Sequence, residues 1–258
     1  MPLYSTEAIV LRTRPLGEAD VLVTLLTRVE GKVEAAARGA RRGRSRLLAA
    51  TQPFTESRLM LWRGRSLDSL SQAEVLESFR GLQRDLLRLS CATYAAALLD
   101  HFLGEREPNP AAYGLCREVF GYFSRAEGRD QLLKGVHAFE LRLLRILGYE
   151  PEVSRCAACG GGLGSTVRFS LALGGALCAQ CFPRDPQALR VSTGALALLS
   201  RLAETPWDRL QVIDARGQAG EVRRLLWGFI DFRREGALKA RQFLELVCGE
   251  PEEGVGGK

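Results

Sequence analysis

Cys156 and Cys159 stand three positions apart, and so do Cys178 and Cys181, in the strings CAAC and CAQC. The whole pattern is C-x2-C-x18-C-x2-C. Two cysteines on a tight turn aim both sulfurs inward, and two such knuckles complete a tetrahedron around Zn2+. Gly160 and Gly161 follow the first knuckle and relieve the crowding of its turn. Four cysteines leave no open ligand position, so the expected ion, one Zn2+, is structural and not catalytic. A redox dithiol is the first alternative, and it lacks a thioredoxin-like strand–helix context. Two disulfides are the second, as an oxidised, metal-free form. The chain holds seven cysteines, an odd number that argues against a disulfide framework. Cys91, Cys116 and Cys248 fall on apolar faces of helical stretches and are expected as small core residues.

A second chemistry sits near the other end. Residues 37–46 read ARGARRGRSR, with arginine at 38, 41, 42, 44 and 46 and no acid. Between Arg28 and Arg65 there are ten Lys or Arg against three acids, a local charge of +7 in a chain whose formal total is +6. A positive field this local suits contact with a polyanion. Arginine in place of lysine suits forked contacts to phosphate, and Gly39 and Gly43 let the backbone approach a surface closely. The bland reading is a solvated loop, but such loops usually mix both signs of charge. Membrane and nuclear-localisation readings are weaker, because no amphipathic apolar face accompanies the arginines.

Arg38, Arg41, Arg42, Arg44 and Arg46 are therefore candidate nucleic-acid contacts, and Lys32, Arg12 and Arg14 are counted with them. Five neutralised phosphates would make log K fall with log[salt] at roughly −3.5 for single strands and −4.5 for duplex. Base stacking needs exposed aromatics. The first 80 residues offer Tyr4, Phe54, Trp62 and Phe79, expected mostly in the core. The contact should then be to the backbone, sequence-tolerant and salt-sensitive, leaving base edges free while two strands pair.

Short apolar or alternating runs at 7–13, 20–27, 31–38 and 57–64 predict strands, separated by turn signals at Pro15-Leu16-Gly17, Glu30-Gly31 and Arg63-Gly64. Close spacing of short strands suggests a small β-barrel with the arginine loop between two of them. From residue 72 the chain changes character. Helices are predicted over 83–103, over 109–126 with Asn109 as N-cap and Pro110 first, and over 130–148 ending at Gly148. Further helices are predicted at 192–204 with Ser192 as cap, 219–235 and 237–248. The glycine-rich stretch 151–187 interrupts them, and VRFSLALGGAL within it reads as a hairpin that brings the cysteine pairs together. The last ten residues are expected to be disordered. No basic segment followed by an apolar one opens the chain, and no apolar run reaches about 18 residues, so neither a signal peptide nor a membrane span is expected. The cytoplasm is the expected compartment.

The string AIVLRTRPLGEADVLVTLLTRVEGKVEAAARGARRGRSR, followed by LLAATQPF, resembles the N-terminal region of the bacterial RecO recombination mediators. Gly17-Glu18-Ala19-Asp20, Gly39-Ala40-Arg41-Arg42 and Gln52-Pro53-Phe54 are its most specific parts, and the cysteine insert with its helices extends the likeness over nearly the whole chain. The resemblance implies an α+β multidomain chain. Its parts would be an N-terminal OB-fold β-barrel (1–79), an α-helical domain (80–150 and 189–248), an inserted four-cysteine zinc finger (151–188) and a tail (249–258). It implies binding of single- and double-stranded DNA, strand annealing, and help in loading the RecA recombinase onto single strands coated by single-strand-binding protein (SSB). RecR and the acidic, hydrophobic C-terminal tail of SSB are the implied partners, RecA an indirect one, and the nucleoid the implied place of work. The family's DNA-binding loop falls on Arg38, Arg41, Arg42, Arg44 and Arg46. Arg117, Arg125 and Arg129 are candidate anion contacts in the helical region, beside the plainer reading of surface helix charge.

An enzyme, such as a zinc nuclease or deaminase, is disfavoured. GxxxxGK[ST], HExxH and HxE…PCxxC do not occur, and His101 and His137 are the only histidines. A zinc-ribbon RNA-binding or transcription-related protein is the remaining alternative.

Overall fold

Runs of small aliphatic residues build four strands, β1 (Leu3–Leu16), β2 (Asp20–Thr27), β3 (Lys32–Ala37) and β4 (Glu56–Trp62), and pairing adds a fifth, β5 (Asp68–Glu77). The computed structural model describes residues 2–42, 45, 47–234 and 238–249. The strands close a barrel in the order β1-β2-β3-β5-β4, with β3 and β5 parallel and the other neighbours antiparallel. This is the five-stranded Greek-key barrel of the OB-fold. Ala8, Val10, Val21, Val23, Leu25, Ala35, Ala37, Leu59, Leu61 and Leu70 fill it. Alanine at three of these positions suits a narrow barrel, where larger side chains would overfill the interior. A register shift between Val10 and Arg12 bulges β1. Ile9 and Leu11 face the other way and are also buried, and α1 (Leu86–Phe102) and α2 (Pro110–Arg125) lie against β1.

β5 is the element that the sequence pattern does not announce. Its stretch SQAEVLE is mostly exposed and has helix-like composition. Pairing with β4 from Ser69 to Glu77 makes it a strand, so sheet structure runs past residue 72. Phe54, Phe79 and Trp62 divide unevenly: the two phenylalanines are 7% exposed, while Trp62 is 43% exposed at the end of β4.

α2 is clasped to the barrel by a carboxylate. Glu56, 3% exposed, accepts hydrogen bonds from Tyr113 Oη at 2.7 Å and Arg117 Nε at 3.0 Å. Asp68, 1% exposed, gathers Tyr4 Oη (2.5 Å), Arg106 Nη2 (2.7 Å) and the backbone N–H of Gly64 (2.8 Å). Burial works against its charge, yet these three donors hold its carboxyl below the usual range. Burial and the same carboxylate push the Tyr4 phenol up.

Contacts divide the chain into two compact units, residues 1–125 and 126–258. The second unit contains α3 (Gly128–Ile146), α4 (Thr193–Glu204), α5 (Ala219–Arg234) and α6 (Lys239–Cys248). The expected caps are in place. Asn109 Oδ1 accepts the N–H of Ala112 at 2.9 Å ahead of α2, Ser192 Oγ that of Ala195 at 3.1 Å ahead of α4, and Gly148 takes a φ of +77° beyond α3. Glu140, fully buried, receives Trp227 Nε1 at 3.0 Å and meets His137 Nδ1 at 2.7 Å, which makes His137 a packed residue. Cys91, Cys116 and Cys248 are buried as expected. Between α3 and α4 lies a small sheet of β6 (Val167–Ser170), β7 (Gly175–Cys178) and β8 (Leu189–Val191), in the order β7-β6-β8. Among the described residues no helix is long and apolar enough to cross a membrane. The expected tail, from residue 250 on, lies outside the described residues.

Candidate nucleic-acid interface and metal centre

The arginine loop leaves β3 in a turn that the barrel holds firmly. Gly39 adopts φ +65°, a conformation that disfavours side chains, and its N–H bonds Asp20 Oδ1 at 2.7 Å. The N–H of Arg41 bonds the carbonyl of Ala19 at 2.9 Å, and that of Arg42 the carbonyl of Gly39 at 3.1 Å. Ala40, between them, is fully buried in the barrel core. An alanine plugged into the core forces its neighbours outward, and Arg38, Arg41 and Arg42 are all exposed. Arg44 and Arg46 lie outside the described residues.

The other sequence-derived candidates sit in a different electrostatic setting. Arg12 Nη2 lies 3.2 Å from Asp100 and 3.9 Å from Glu34, Arg14 Nη2 lies 3.1 Å from Glu34, and Lys32 Nζ lies 3.3 Å from Asp100. These cations share two carboxylates on the outer face of β1–β3 and at the end of α1. Arg38, Arg41 and Arg42 have no ion pair among the described residues. Of the six candidates among the described residues, the three on the loop are the ones without an ion pair. Arg117 is tied to Glu56, Arg125 closes α2 in the first unit, and Arg129 lies on α3 in the second.

Arg129 lines a cavity of about 160 Å3 with an apolar wall of Leu133, Leu198, Leu202 and Val222 and a second cation, Arg223. Neither arginine has an ion pair among the described residues. Lys134, also on the lining, is held by Asp130 Oδ2 at 2.5 Å. No local pattern marks this site, because Arg129 and Arg223 stand on different helices far apart in the chain.

The four paired cysteines converge. Their sulfurs all lie within 4.8 Å of one another, and Cys159 and Cys178 are 3.9 Å apart, too far for a disulfide. A tetrahedral ion about 2.3 Å from each sulfur sets S···S edges near ~3.8 Å, so the cage is close to closed. The β6–β7 hairpin brings the two knuckles together, as its sequence predicts. Gly160, at φ +72°, turns the first knuckle and donates to the carbonyl of Cys156 at 2.8 Å. Burial raises the Cys156 thiol, but the N–H groups of Cys178, Ala158 and Cys159 aimed at it outweigh burial and bring it to about 6. Burial and the neighbouring sulfurs push Cys181 up to about 12. Four sulfurs this close cannot all ionise without a cation among them. The donor set therefore fits a structural metal ion, with Leu177, Ala188 and Phe182 packed around it.

Comparison with known proteins agrees with the likeness carried by the sequence. A family model described as "Recombination protein O N terminal" matches residues 1–79, and one described as "Recombination protein O C terminal" matches residues 83–242. The chain is 44% identical over 251 residues to "DNA repair protein RecO" of Symbiobacterium thermophilum, covering 96% of this chain and 98% of that protein. It is 40% identical over 248 residues to the protein of the same name from Desulforudis audaxviator, with 96% and 98% covered. To that of Bacillus pumilus it is 34% identical over 246 residues, with 95% and 94% covered.

Proposed function

Because this chain belongs to the RecO family of DNA repair proteins, we propose that it is a non-enzymatic DNA-binding mediator that anneals strands and, with RecR, helps load RecA onto SSB-coated single strands. The observation that carries this is the distribution of charge on the barrel. Arg12, Arg14 and Lys32 are matched by Glu34 and Asp100, while Arg38, Arg41 and Arg42 project from a turn fixed by Asp20 and Ala19 without an ion pair among the described residues. A held turn spares the backbone part of the ordering cost when its guanidinium groups meet phosphate, and those contacts go to the nucleic-acid backbone. Bases stay free to pair with a second strand, and single and double strands are both accepted. Arg44 and Arg46 continue the same charge in sequence and are assigned the same role. Arg12, Arg14 and Lys32 would contribute through the field around the loop.

Cys156, Cys159, Cys178 and Cys181 would hold one Zn2+, which cross-links the insert in place of a core too small to fold alone. The cavity beside α3, α4 and α5 suits the SSB tail: an apolar wall for its hydrophobic end and Arg129 with Arg223 for its acids. A protein with these partners works in the cytoplasm, at the nucleoid.

The test is strand annealing across a salt series with the wild type and Arg41→Glu/Arg42→Glu. Annealing and DNA affinity should fall in the variant for every sequence tried, with unchanged circular dichroism. Unchanged affinity in a folded variant would mean that the loop is idle. Tighter binding to RNA than to DNA, without annealing, would favour an RNA-binding function instead.

A further inference from the structure

Arg168 and Arg190 are directly opposite each other on β6 and β8. Directly paired residues share a sheet face with Cβ atoms about 5 Å apart, and like charges there are destabilising. The stretch 151–191 has two acids, Glu152 and Asp185. Glu152 is taken by Ser154 and by Arg155 Nε at 2.9 Å, and Asp185 by Ser170 Oγ at 2.5 Å. Neither Arg168 nor Arg190 has an ion pair among the described residues. Arg168 is also held in place: its guanidinium stacks over the Phe182 ring at 4.8 Å. Phe182 follows Cys181 and packs in the cluster around the cysteines, as does Leu177, the partner of Arg168 on β7. Stacking covers one face of the guanidinium and leaves its N–H edge for an acceptor.

We propose that the sheet of the four-cysteine module is a second phosphodiester-binding site, in which Arg168 and Arg190 together grip a nucleic-acid backbone. Two adjacent positive charges are met together by a ligand that carries successive negative charges. A polyanion relieves both and releases its own counterions. Phe182 is a platform under Arg168, and a guanidinium edge left open beside a second arginine suits a row of phosphates better than the apolar end of an acidic peptide. The metal then has a role beyond stapling the insert, because Phe182, next to Cys181, positions Arg168. Rather than resting on the arginine loop alone, DNA engagement would be shared between the two units of the chain, which suits a protein that must hold two strands. The inference rests on the proposed DNA-binding function.

The experiment uses the full, zinc-loaded chain and labelled single-stranded oligonucleotides across a salt series. Arg168→Ala/Arg190→Ala should lower affinity and reduce the salt slope by about 1.4, two single-strand phosphates' worth. Arg168→Lys/Arg190→Lys should keep most of the slope. In the wild type, amide exchange over 165–191 should slow when oligonucleotide is added. Affinity and slope unchanged in the alanine pair, with Arg41→Ala/Arg42→Ala still weakened, would overturn the second site and leave the loop standing. If neither pair weakens binding, the DNA-binding function itself fails. Should the alanine pair lose metal or unfold, the exchange result decides: no protection over 165–191 overturns the site. Unchanged DNA binding with lost affinity for a glutamate-rich peptide would also overturn it.

Discussion

Asp20 Oδ1 accepts the backbone N–H of Gly39 at 2.7 Å, joining the first residue of β2 to the turn that carries the arginines. The bond is charge-assisted and half-exposed, so Asp20→Ala should cost about 1 kcal/mol of stability. Its larger effect should be on order in the loop. DNA affinity should fall several-fold, while the slope of log K against log[salt] stays as in the wild type, because no phosphate contact is removed. Arg41→Ala/Arg42→Ala should instead reduce that slope by about 1.4 on single strands. Salt-dependent anisotropy titrations of both variants separate positioning from contact, and a slope change in Asp20→Ala would count against this division of roles.

Much of this was legible in sequence, and the misses share a cause. Runs such as DVLVTLLT alternate because Val21, Val23 and Leu25 fill a barrel. The caps Asn109 and Ser192 and the turn at Gly148 are local chemistry, read from neighbours. The knuckles are legible because metal ligation fixes spacing. β5 escaped because its outward half is polar, and only hydrogen bonds to β4 make it a strand. The pairing of Lys32 with Asp100 spans 68 positions, and no local pattern foretells which arginines of a basic stretch are already neutralised. The Arg168–Arg190 apposition depends on the register of a three-residue strand, and the Arg129–Arg223 cavity on how three helices meet.

Glu56 binds α2 to the barrel, and its two partners should differ in weight. Tyr113→Phe removes one hydrogen bond to a buried carboxylate and should cost about 2 kcal/mol. Arg117 has a side chain that is 64% exposed, so Arg117→Ala should cost no more than about 1 kcal/mol after solvent screening. Glu56→Ala should exceed either, at about 3 kcal/mol, because it strands the Tyr113 hydroxyl. Urea unfolding of the three variants tests the order, and an Arg117→Ala loss larger than that of Tyr113→Phe would contradict it.

The Tyr4–Asp68 pair sets a pH window. The Asp68 carboxyl is lowered on folding, so its contribution is present above the unfolded value of about 3.9 and lost as pH falls through the folded one. The Tyr4 phenol is raised, so its contribution is present below about 10 and lost as pH rises through its folded value. Stability from this pair should be flat between those limits and fall outside them. Tyr4→Phe should lower stability within the window by about 2 kcal/mol and remove its share of the alkaline decline. Chemical denaturation at a series of pH values provides the check.

Cys178→Ser should strip the insert of its metal while sparing the barrel, because the four sulfurs belong to residues 156–181 and the barrel to residues 3–77. Structural zinc contributes roughly 10–16 kcal/mol of binding free energy in small modules, so amide protection over 151–191 should collapse. Protection in β1–β5 should hold. Metal analysis should find about one zinc per wild-type chain and a large loss in the variant, and a chelator should reproduce the pattern. Loss of barrel protection in parallel would show that the metal's influence extends beyond the insert.

Arg129 and Arg223 face one cavity from α3 and α5 without an ion pair among the described residues, above a wall of leucines. An acidic peptide ending in apolar residues would satisfy both the cations and the wall, and the SSB tail is the peptide proposed for this site. Arg129→Glu/Arg223→Glu should therefore weaken binding of an SSB C-terminal peptide by at least tenfold, since each lost ion pair is worth about 1 kcal/mol and each new carboxylate repels the tail. Leu198→Asp at the wall should do the same through the apolar half. Neither change touches Arg38, Arg41 or Arg42, so binding of naked DNA should stay within about twofold of wild type while RecA loading onto SSB-coated strands falls. Full peptide affinity in both variants would move the SSB contact elsewhere on the chain and leave the cavity without a ligand.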